Sequence, residues 1–246
     1  VVLARPHYVE AASHLPVWTI FWGLAARAPG TARFALAAAD GTAFVGASPE
    51  RLVVLEGDRL VADILAGTAA RGETPALDAA RAEALRGSAK DAHEHQLVRE
   101  AILGALAPLT SELEAPETPR LLGLPNVWHL HTPATGRLAP GCGLADVLRA
   151  LHPTPAVGGA PQADARELIR KLEATGRGWY AGPVGWVSAT SAHLAVGIRS
   201  AHLRGNRAAA IAGAGIVAGS DPEAEYNETE RKLAPMIAAL TAGGAS

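Results

Sequence analysis

The chain has 246 residues, 49% of them hydrophobic, so it is long enough and apolar enough to fold around its own core. Lysine and arginine total 22 against 24 aspartate and glutamate residues, which argues against a broad nucleic-acid surface. A single cysteine, Cys142, cannot form an internal disulfide and indicates a reducing compartment. No apolar run reaches the roughly 18 residues of a membrane span, and no leader-peptide pattern opens the chain. We therefore expect a cytoplasmic monomer with neither a nucleic-acid nor a membrane partner.

The first 65 residues favour a strand, a helix and two hairpins. The chain opens on a strand pattern, and apolar residues then recur at helical spacing over residues 16–27. Asp40-Gly41 and Gly57-Asp58 are typical of the tight turns that join antiparallel strands. The predicted hairpin strands are residues 33–39 with 42–47 and residues 51–56 with 59–65.

The next segment is rich in alanine, leucine, glutamate and arginine, which predicts helices within residues 74–107. Gly87-Ser88 interrupts this pattern, and Ser88 with Asp91 has the spacing of a capping box for a second helix. Residues 111–119 are polar and contain proline, so we expect an irregular connector there.

The second half predicts further strands and helices without a linker or a repeat that would divide the chain. Ser220 and Glu223 have capping-box spacing before the last helix, and Gly176 is the expected C-cap of an earlier one. The predicted elements are a strand over 126–131, helices over 143–151 and 162–175 around a loop at 152–161, strands from residue 185 with turns at 189–191 and 204–206, a last strand over 208–217, and a helix over 221–240. The sequence therefore predicts a single α+β domain, residues 1–246, of antiparallel sheets covered by helices.

A run of titratable residues at positions 91–95 includes two histidines. On a helix, His93 and His95 point about 200° apart, which argues against a shared zinc ion. Asp91 and Glu94 are three residues apart and share one face. Either this face is a solvated acidic stripe or it binds a ligand.

Glu225, Glu228 and Lys232 also share a face of the last predicted helix. Alone they form an ordinary surface salt-bridge ladder. Two helices with carboxylate pairs at the same spacing, however, can supply an all-oxygen site, which suits magnesium.

Gly213-Ala214-Gly215 lies between a strand and a helix and superficially resembles a dinucleotide-binding fingerprint. The chain holds one helix after these glycines and no second parallel strand, so a Rossmann fold is disfavoured. Glycines that let the backbone approach an anion remain possible. Two further glycine and proline clusters, at 65–68 and 153–161, are either ordered loops packed on the core or parts of a binding site.

Six motifs, in the same order along the chain, resemble those of the chorismate-utilising enzymes, and within them the isochorismate synthases. They are the segments 44–52, 65–68, 90–98, 152–161, 177–186 and 213–232. The loop Thr154-Pro155-Ala156-Val157-Gly158-Gly159 differs from that of the ammonia-dependent members, and salicylate synthases are nearer. Asn126-Val127-Trp128-His129-Leu130 and the Ala-Ala-Arg after Thr68 favour isochorismate synthase.

The resemblance implies a magnesium-dependent isomerisation of chorismate to isochorismate, by water addition at C2 and loss of the C4 hydroxyl. Glu50 would be the general acid, a partly buried carboxyl at a strand end that protonates the leaving hydroxyl. Mg²⁺ would be held chiefly by Glu94 and Glu228, with Asp91 and Glu225 binding directly or through water. The implied substrate-binding residues are Gly67, Thr68, His129, Tyr180, Arg199, Gly213, Gly215 and Lys232.

The chain departs from the family at its start. The resemblance implies a lysine immediately before Val1 as the water-activating base, and the lysines present, at positions 90, 171 and 232, do not match it. It also implies that the N-terminal part of the fold is missing and that these residues are the C-terminal portion of a longer chain. The alternatives are a salicylate synthase, which also eliminates pyruvate, and a non-catalytic chorismate-binding module if that lysine is absent. The product would feed menaquinone, siderophore or salicylate formation.

Overall fold

A computed structural model describes residues 1–124 and 127–243. Antiparallel sheets and helices make an α+β fold, as predicted. The backbone forms two compact units: unit 1 comprises residues 1–49, 157–184 and 196–246, and unit 2 comprises residues 50–156 and 185–195. Both units are discontinuous in sequence, so no single linker divides the chain.

Unit 1 is a five-stranded antiparallel sheet with helices, and its strand order is β1-β12-β11-β3-β2. Its elements are β1 (Val2–Glu10), α1 (Val17–Arg27), β2 (Ala32–Ala37), β3 (Thr42–Ser48), α6 (Gln162–Leu172), β11 (Ser200–Arg204), β12 (Arg207–Gly215) and α7 (Pro222–Gly243). Ile20 and Leu24 of α1 and Leu233 and Met236 of α7 are fully buried and belong to one apolar cluster with the small residues of the sheet. The apolar periodicity of both helices is therefore explained by one core.

Unit 2 contains the second sheet, with the strand order β6-β8-β5-β4-β10-β9 and β7 also paired with β8. Its elements are β4 (Arg51–Glu56), β5 (Arg59–Ala70), α2 (Pro75–Gly87), α3 (Ala89–Leu106), a 3-10 turn (Ala107–Leu109), β6 (Thr110–Glu114), β7 (Arg120–Gly123), β8 (Val127–Leu138) and α4 (Leu144–Leu151). In chain order, a one-turn helix α5 (Pro155–Gly158) follows α4, and β9 (Pro183–Val187) and β10 (Ser191–Val196) follow α6.

The turn and capping signals of the first half are confirmed. Gly41 and Gly57 have positive φ values of 80° and 61° in the two hairpin turns, a backbone conformation that favours glycine. The Asp91 amide donates to the Ser88 hydroxyl at 3.2 Å, which caps α3 where the sequence places its start. The Asp91 carboxylate accepts from the same hydroxyl rather than from the Ser88 amide.

Three local predictions are wrong. Residues 111–119 are not an irregular connector throughout, because β6 pairs with β8 over Thr110–Glu114. The helix α6 ends at Leu172 with Glu173 as its C-cap, so Gly176 lies beyond it. At α7, the Asp221 side chain accepts from the Ala224 amide at 2.8 Å and replaces the predicted Ser220 and Glu223 capping box.

The strand predicted over 126–131 is longer, since β8 runs to Leu138. Asn126, the first residue of that prediction, lies outside the described residues. Among the helices at 1–124 and 127–243, none has both the length and the apolar character needed to cross a membrane.

Candidate functional site

In unit 2, a bulge at Gly67 orients two of the predicted binding residues. The pairing of β5 with β8 shifts by one residue between Ala66 and Thr68, which leaves Gly67 as the extra residue. The Thr68 hydroxyl then lies 3.0 Å from His129 Nδ1, and the Gly67 carbonyl lies 3.2 Å from the same nitrogen. His129 is buried, so the bulge fixes a polar corner on the sheet.

Gly67 is also required sterically. Its φ is +78°, and a Cβ placed on it would lie 3.1 Å from the Asp91 Cβ and 3.2 Å from a Leu130 methyl. Gly67 thus brings the sheet into close contact with α3 at the first of the predicted magnesium ligands.

We expect Gly67→Ala to lower the free energy of unfolding by more than Gly57→Ala does. Both glycines have positive φ, which costs alanine about 1 to 2 kcal/mol. Nothing lies within 4 Å of a Cβ placed on Gly57, whereas Gly67 faces Asp91 and Leu130. Urea denaturation of the two variants separates backbone strain from contact, and equal losses would show that the contact at Gly67 relaxes freely.

The two histidines at positions 93 and 95 lie in different environments. His95 is 2% exposed, and its Nδ1 and Nε2 lie 3.3 Å from the Ala66 carbonyl and 2.8 Å from the Thr132 hydroxyl. His93 is exposed. Burial lowers the pKa of His95, so this side chain is a neutral histidine that ties α3 to the sheet.

Of the predicted magnesium ligands on α3, Asp91 is half-buried and Glu94 is exposed. Ser88 orients the Asp91 carboxylate by donating its hydroxyl hydrogen. A carboxylate held by a neighbouring hydroxyl is typical of metal ligands, whose orientation depends on such contacts.

Glu50, the predicted general acid, directly precedes β4 and is only 7% exposed. The next residue, Arg51, pairs with Asp63 of β5 at 3.0 Å, which fixes the start of the strand. Burial at a fixed position is the environment that the prediction for Glu50 requires.

In unit 1, the pairing of β12 with β1 determines the direction of the amides at Gly213 and Gly215. The Ile216 amide donates to the Val1 carbonyl at 2.7 Å, and alternation along the strand turns the amides of 213 and 215 away from β1. On that side, β11 begins at Ser200, which pairs with Ile211, so the pairing of β11 with β12 stops before Gly213. Both amides therefore lie beyond the end of the neighbouring strand, where a strand no longer pairs with them.

A cationic group stands beside these glycines. Lys232 Nζ donates to the Gly213 carbonyl at 2.9 Å and to Glu228 Oε1 at 2.5 Å, and its side chain is 16% exposed. Burial lowers the pKa of Lys232, Glu228 opposes this shift, and the positive charge of Arg199 adds to it. Arg199 thus lies near Lys232, and Glu228 and Glu225 offset part of the positive charge of these two groups.

Tyr180 and Arg199 complete this corner of unit 1. Tyr180 is buried, and its hydroxyl lies 3.1 Å from the position of a Cβ on Gly213. Arg199 has a φ of 52°, an uncommon conformation for a residue with a side chain, and its carbonyl accepts from the Ala47 amide. The structure therefore places Tyr180 and Lys232 beside Gly213, with Arg199 near Lys232.

The predicted ligands on α7 are also oriented by neighbours. Ser220 donates to Glu225 Oε1 at 3.0 Å, and Lys232 donates to Glu228. Within the described residues of either unit, no three His, Cys, Asp or Glu side chains form a group that could hold a metal ion. Each helix supplies one pair of carboxylates, and the four-carboxylate magnesium site stays a prediction.

Sequence reasoning missed the partly buried ion pair between Glu173 and Arg177, whose atoms approach to 2.6 Å. Their side chains are 8% and 18% exposed, and both also bind the backbone of β1. A spacing of four residues was the available signal, but it is common on exposed helix faces and does not indicate burial.

A family described as chorismate binding enzyme matches residues 1–241. The salicylate biosynthesis isochorismate synthase of Pseudomonas aeruginosa is 48% identical over 202 residues, which cover 82% of this chain and 42% of that protein. Isochorismate synthase MenF of Bacillus subtilis is 43% identical over 202 residues, with coverage of 82% and 43%.

Two solved structures are similar to this chain over nearly its whole length. The menaquinone-specific isochorismate synthase MenF of Escherichia coli superposes with a TM-score of 0.92 at 34% identity and covers 98% of this chain and 56% of that one. Anthranilate synthase component I of Streptococcus pneumoniae gives a TM-score of 0.84 at 28% identity, with coverage of 96% and 52%. The chain spans about half the length of the relatives that it matches.

Proposed function

The chain belongs to the family of chorismate-binding enzymes, and we propose that its protein is an isochorismate synthase that converts chorismate to isochorismate. The observation that carries the proposal is the 48% identity to an isochorismate synthase over 202 residues. The polar corners described above support it, because the substrate is a dicarboxylate and one of them combines cations with outward-facing amides.

The corner of unit 1 is suited to a carboxylate. Arg199 offers a planar fork that binds carboxylate oxygens in pairs, and the amides of Gly213 and Gly215 add backbone donors. Lys232 holds the Gly213 carbonyl and contributes positive charge. We propose that Tyr180, Arg199 and the two glycines bind one carboxylate of chorismate, with Lys232 beside them.

Glu50, also in unit 2, is the residue that we propose for the acid chemistry. Glu50 would donate its proton to the C4 hydroxyl oxygen as the C4–O bond breaks, while water adds at C2 and the double bonds shift. The water gives one proton to a base, which the resemblance places immediately before Val1, so the proton from Glu50 is balanced. Gly67, Thr68 and His129 would line the pocket at the substrate ring.

We further propose that Asp91 and Glu94 on α3 and Glu225 and Glu228 on α7 are magnesium ligands. Their donors fit this ion, since Mg²⁺ prefers oxygen ligands and commonly binds one or two carboxylates together with waters. Ser88, Ser220 and Lys232 each hold one of these carboxylates. Bound magnesium would neutralise carboxylate charge and attract an anionic substrate.

The test is incubation of the full-length protein with chorismate and Mg²⁺, followed by chromatography of the products. Isochorismate is the expected product. Salicylate with pyruvate would instead identify a salicylate synthase. Anthranilate formed only with ammonia, or no turnover, would overturn the proposal, and the fold shared with an anthranilate synthase component makes the ammonia arm necessary.

A further inference from the structure

We propose that Glu173 and Arg177 form a positioning pair for chorismate binding, which fixes the strand pair that carries Gly213 and Gly215. The inference rests on the proposed function. Neither residue is one of the proposed carboxylate-binding residues. Both are hydrogen-bonded to the backbone of β1, the strand that pairs with β12 at the two glycines.

The ion pair is partly buried and makes several backbone contacts. Arg177 donates from Nε to Glu173 Oε2 at 3.0 Å and from Nη2 to Glu173 Oε1 at 2.6 Å. Its Nη2 also donates to the Val2 carbonyl at 2.8 Å, and its Nη1 donates to the Val157 carbonyl at 2.7 Å. Glu173 Oε1 accepts from the Ala4 amide at 2.9 Å. Charged partners make these hydrogen bonds stronger than neutral ones.

These contacts occupy the outer edge of β1. Among residues 1–124 and 127–243, β1 pairs with β12 on one side and lies at the edge of its sheet. Because Val1 bonds Ile216 across the pair, the Val2 carbonyl and the Ala4 amide point to the opposite side. One acceptor and one donor on that side are bound by Arg177 and Glu173. The ion pair thus takes the place of a neighbouring strand.

The positions that it holds lie opposite the two glycines. In the register of the sheet, Val2 pairs with Gly215 and Ala4 pairs with Gly213. Glycine has no side chain to fix its backbone by packing, so the position of these amides depends on the strand beside them. Movement of β1 at Val2 and Ala4 would therefore move the proposed carboxylate donors.

Arg177 is linked to the same corner by a second route. The Tyr180 amide donates to the Arg177 carbonyl at 2.9 Å, and the Tyr180 hydroxyl lies against Gly213. The Arg177 guanidinium also binds the Val157 carbonyl, which lies in the glycine and proline cluster at 153–161. The Arg177 guanidinium thus connects the start of β1 with Val157, and the Arg177 carbonyl connects the same residue to the turn at Tyr180.

A matched ion pair lies at the other end of the same two strands. Arg207 and Glu10 are opposite each other in β12 and β1, with a separation of 3.1 Å. Their side chains are 74% and 60% exposed, and exposed pairs contribute little to structure. Arg207→Ala is therefore the control for the loss of an arginine from this strand pair.

The experiment compares Arg177→Ala with Arg207→Ala in the full-length protein. We expect Arg177→Ala to raise the KM for chorismate by about 10- to 100-fold with a smaller change in kcat. The reason is that Arg177 positions groups proposed to bind a substrate carboxylate, and not the groups proposed for the chemical step. Backbone amide hydrogen exchange at Ala214, whose amide faces β1 between the two glycines, should become faster without substrate. Arg207→Ala should change neither quantity.

A second variant covers a failure of Arg177→Ala to fold, since Glu173 would then be a buried charge without its partner. Glu173→Gln keeps an acceptor for the Ala4 amide and removes the charge, so we expect a smaller KM increase in the same direction. Unchanged exchange at Ala214 in these variants would overturn the inference whether or not the protein uses chorismate. An unchanged KM in an active enzyme would overturn it too. If the unmodified protein does not convert chorismate, the proposed function fails, while the exchange measurement still reports on positioning.

Discussion

Glu50→Gln is expected to lower kcat for chorismate by a factor of about 10² to 10⁴, the usual contribution of a general acid. Glutamine has nearly the same shape, but its amide cannot give a proton to the leaving hydroxyl. Glu50 is 7% exposed at the start of β4, so the replacement preserves volume in a buried place. Chorismate affinity should persist, because the proposed carboxylate contacts are made by Arg199 and its neighbours. Steady-state kinetics together with calorimetric titration of chorismate measure the two quantities separately.

Glu56→Gln is the matched control, since Glu56 ends the same strand and is exposed. Its kcat should equal that of the unmodified enzyme. A Glu50→Gln variant with full turnover would show that another group protonates the leaving oxygen.

Much of the fold was predictable because local chemistry determines it. The turns at Gly41 and Gly57 require positive φ, and Ser88 supplies a hydroxyl for the Asp91 amide, so these boundaries follow from short segments. The strand β6 was missed because its residues are mostly exposed and polar, and β8 stabilises it from about twenty residues away. Long-range pairing of this kind leaves no periodic pattern in the sequence.

The candidate site likewise has features that local sequence predicts and features that depend on long-range contacts. The spacing of carboxylates on α3 and α7 is a local property, and both segments are helices as predicted. The bulge at Gly67 depends on the register between two strands, which a single strand does not encode. The bonds of Arg177 to Val2 and Val157 join parts of the chain that are far apart in sequence. Only the folded structure shows that a common spacing of four residues is here a partly buried ion pair.

Magnesium and chorismate are expected to bind with positive coupling, each raising the affinity of the other by the same factor, commonly about 5- to 150-fold. Two carboxylates on one helix face repel each other and repel an anionic substrate, at about 1 to 4 kcal/mol per close pair depending on the effective dielectric. A divalent cation removes that repulsion. Titration of the full-length protein with chorismate in the presence and absence of Mg²⁺ measures the coupling, and a titration with Mg²⁺ at saturating chorismate must return the same factor.

Variants of the two helices should affect this coupling in different ways. Glu94 is exposed and its charge is screened by solvent, so Glu94→Gln should abolish the coupling and tighten chorismate binding without metal by less than Glu228→Gln does. Glu228 accepts from Lys232, so Glu228→Gln should abolish the coupling and also tighten chorismate binding without metal, because Lys232 is no longer neutralised. Glu223→Gln, an exposed change on the same helix as Glu228, should leave both affinities unchanged. If chorismate binds equally with and without Mg²⁺ in the unmodified protein, these carboxylates are solvated helix faces, and the positive charge of Lys232 serves to hold the Gly213 carbonyl rather than to balance a metal site.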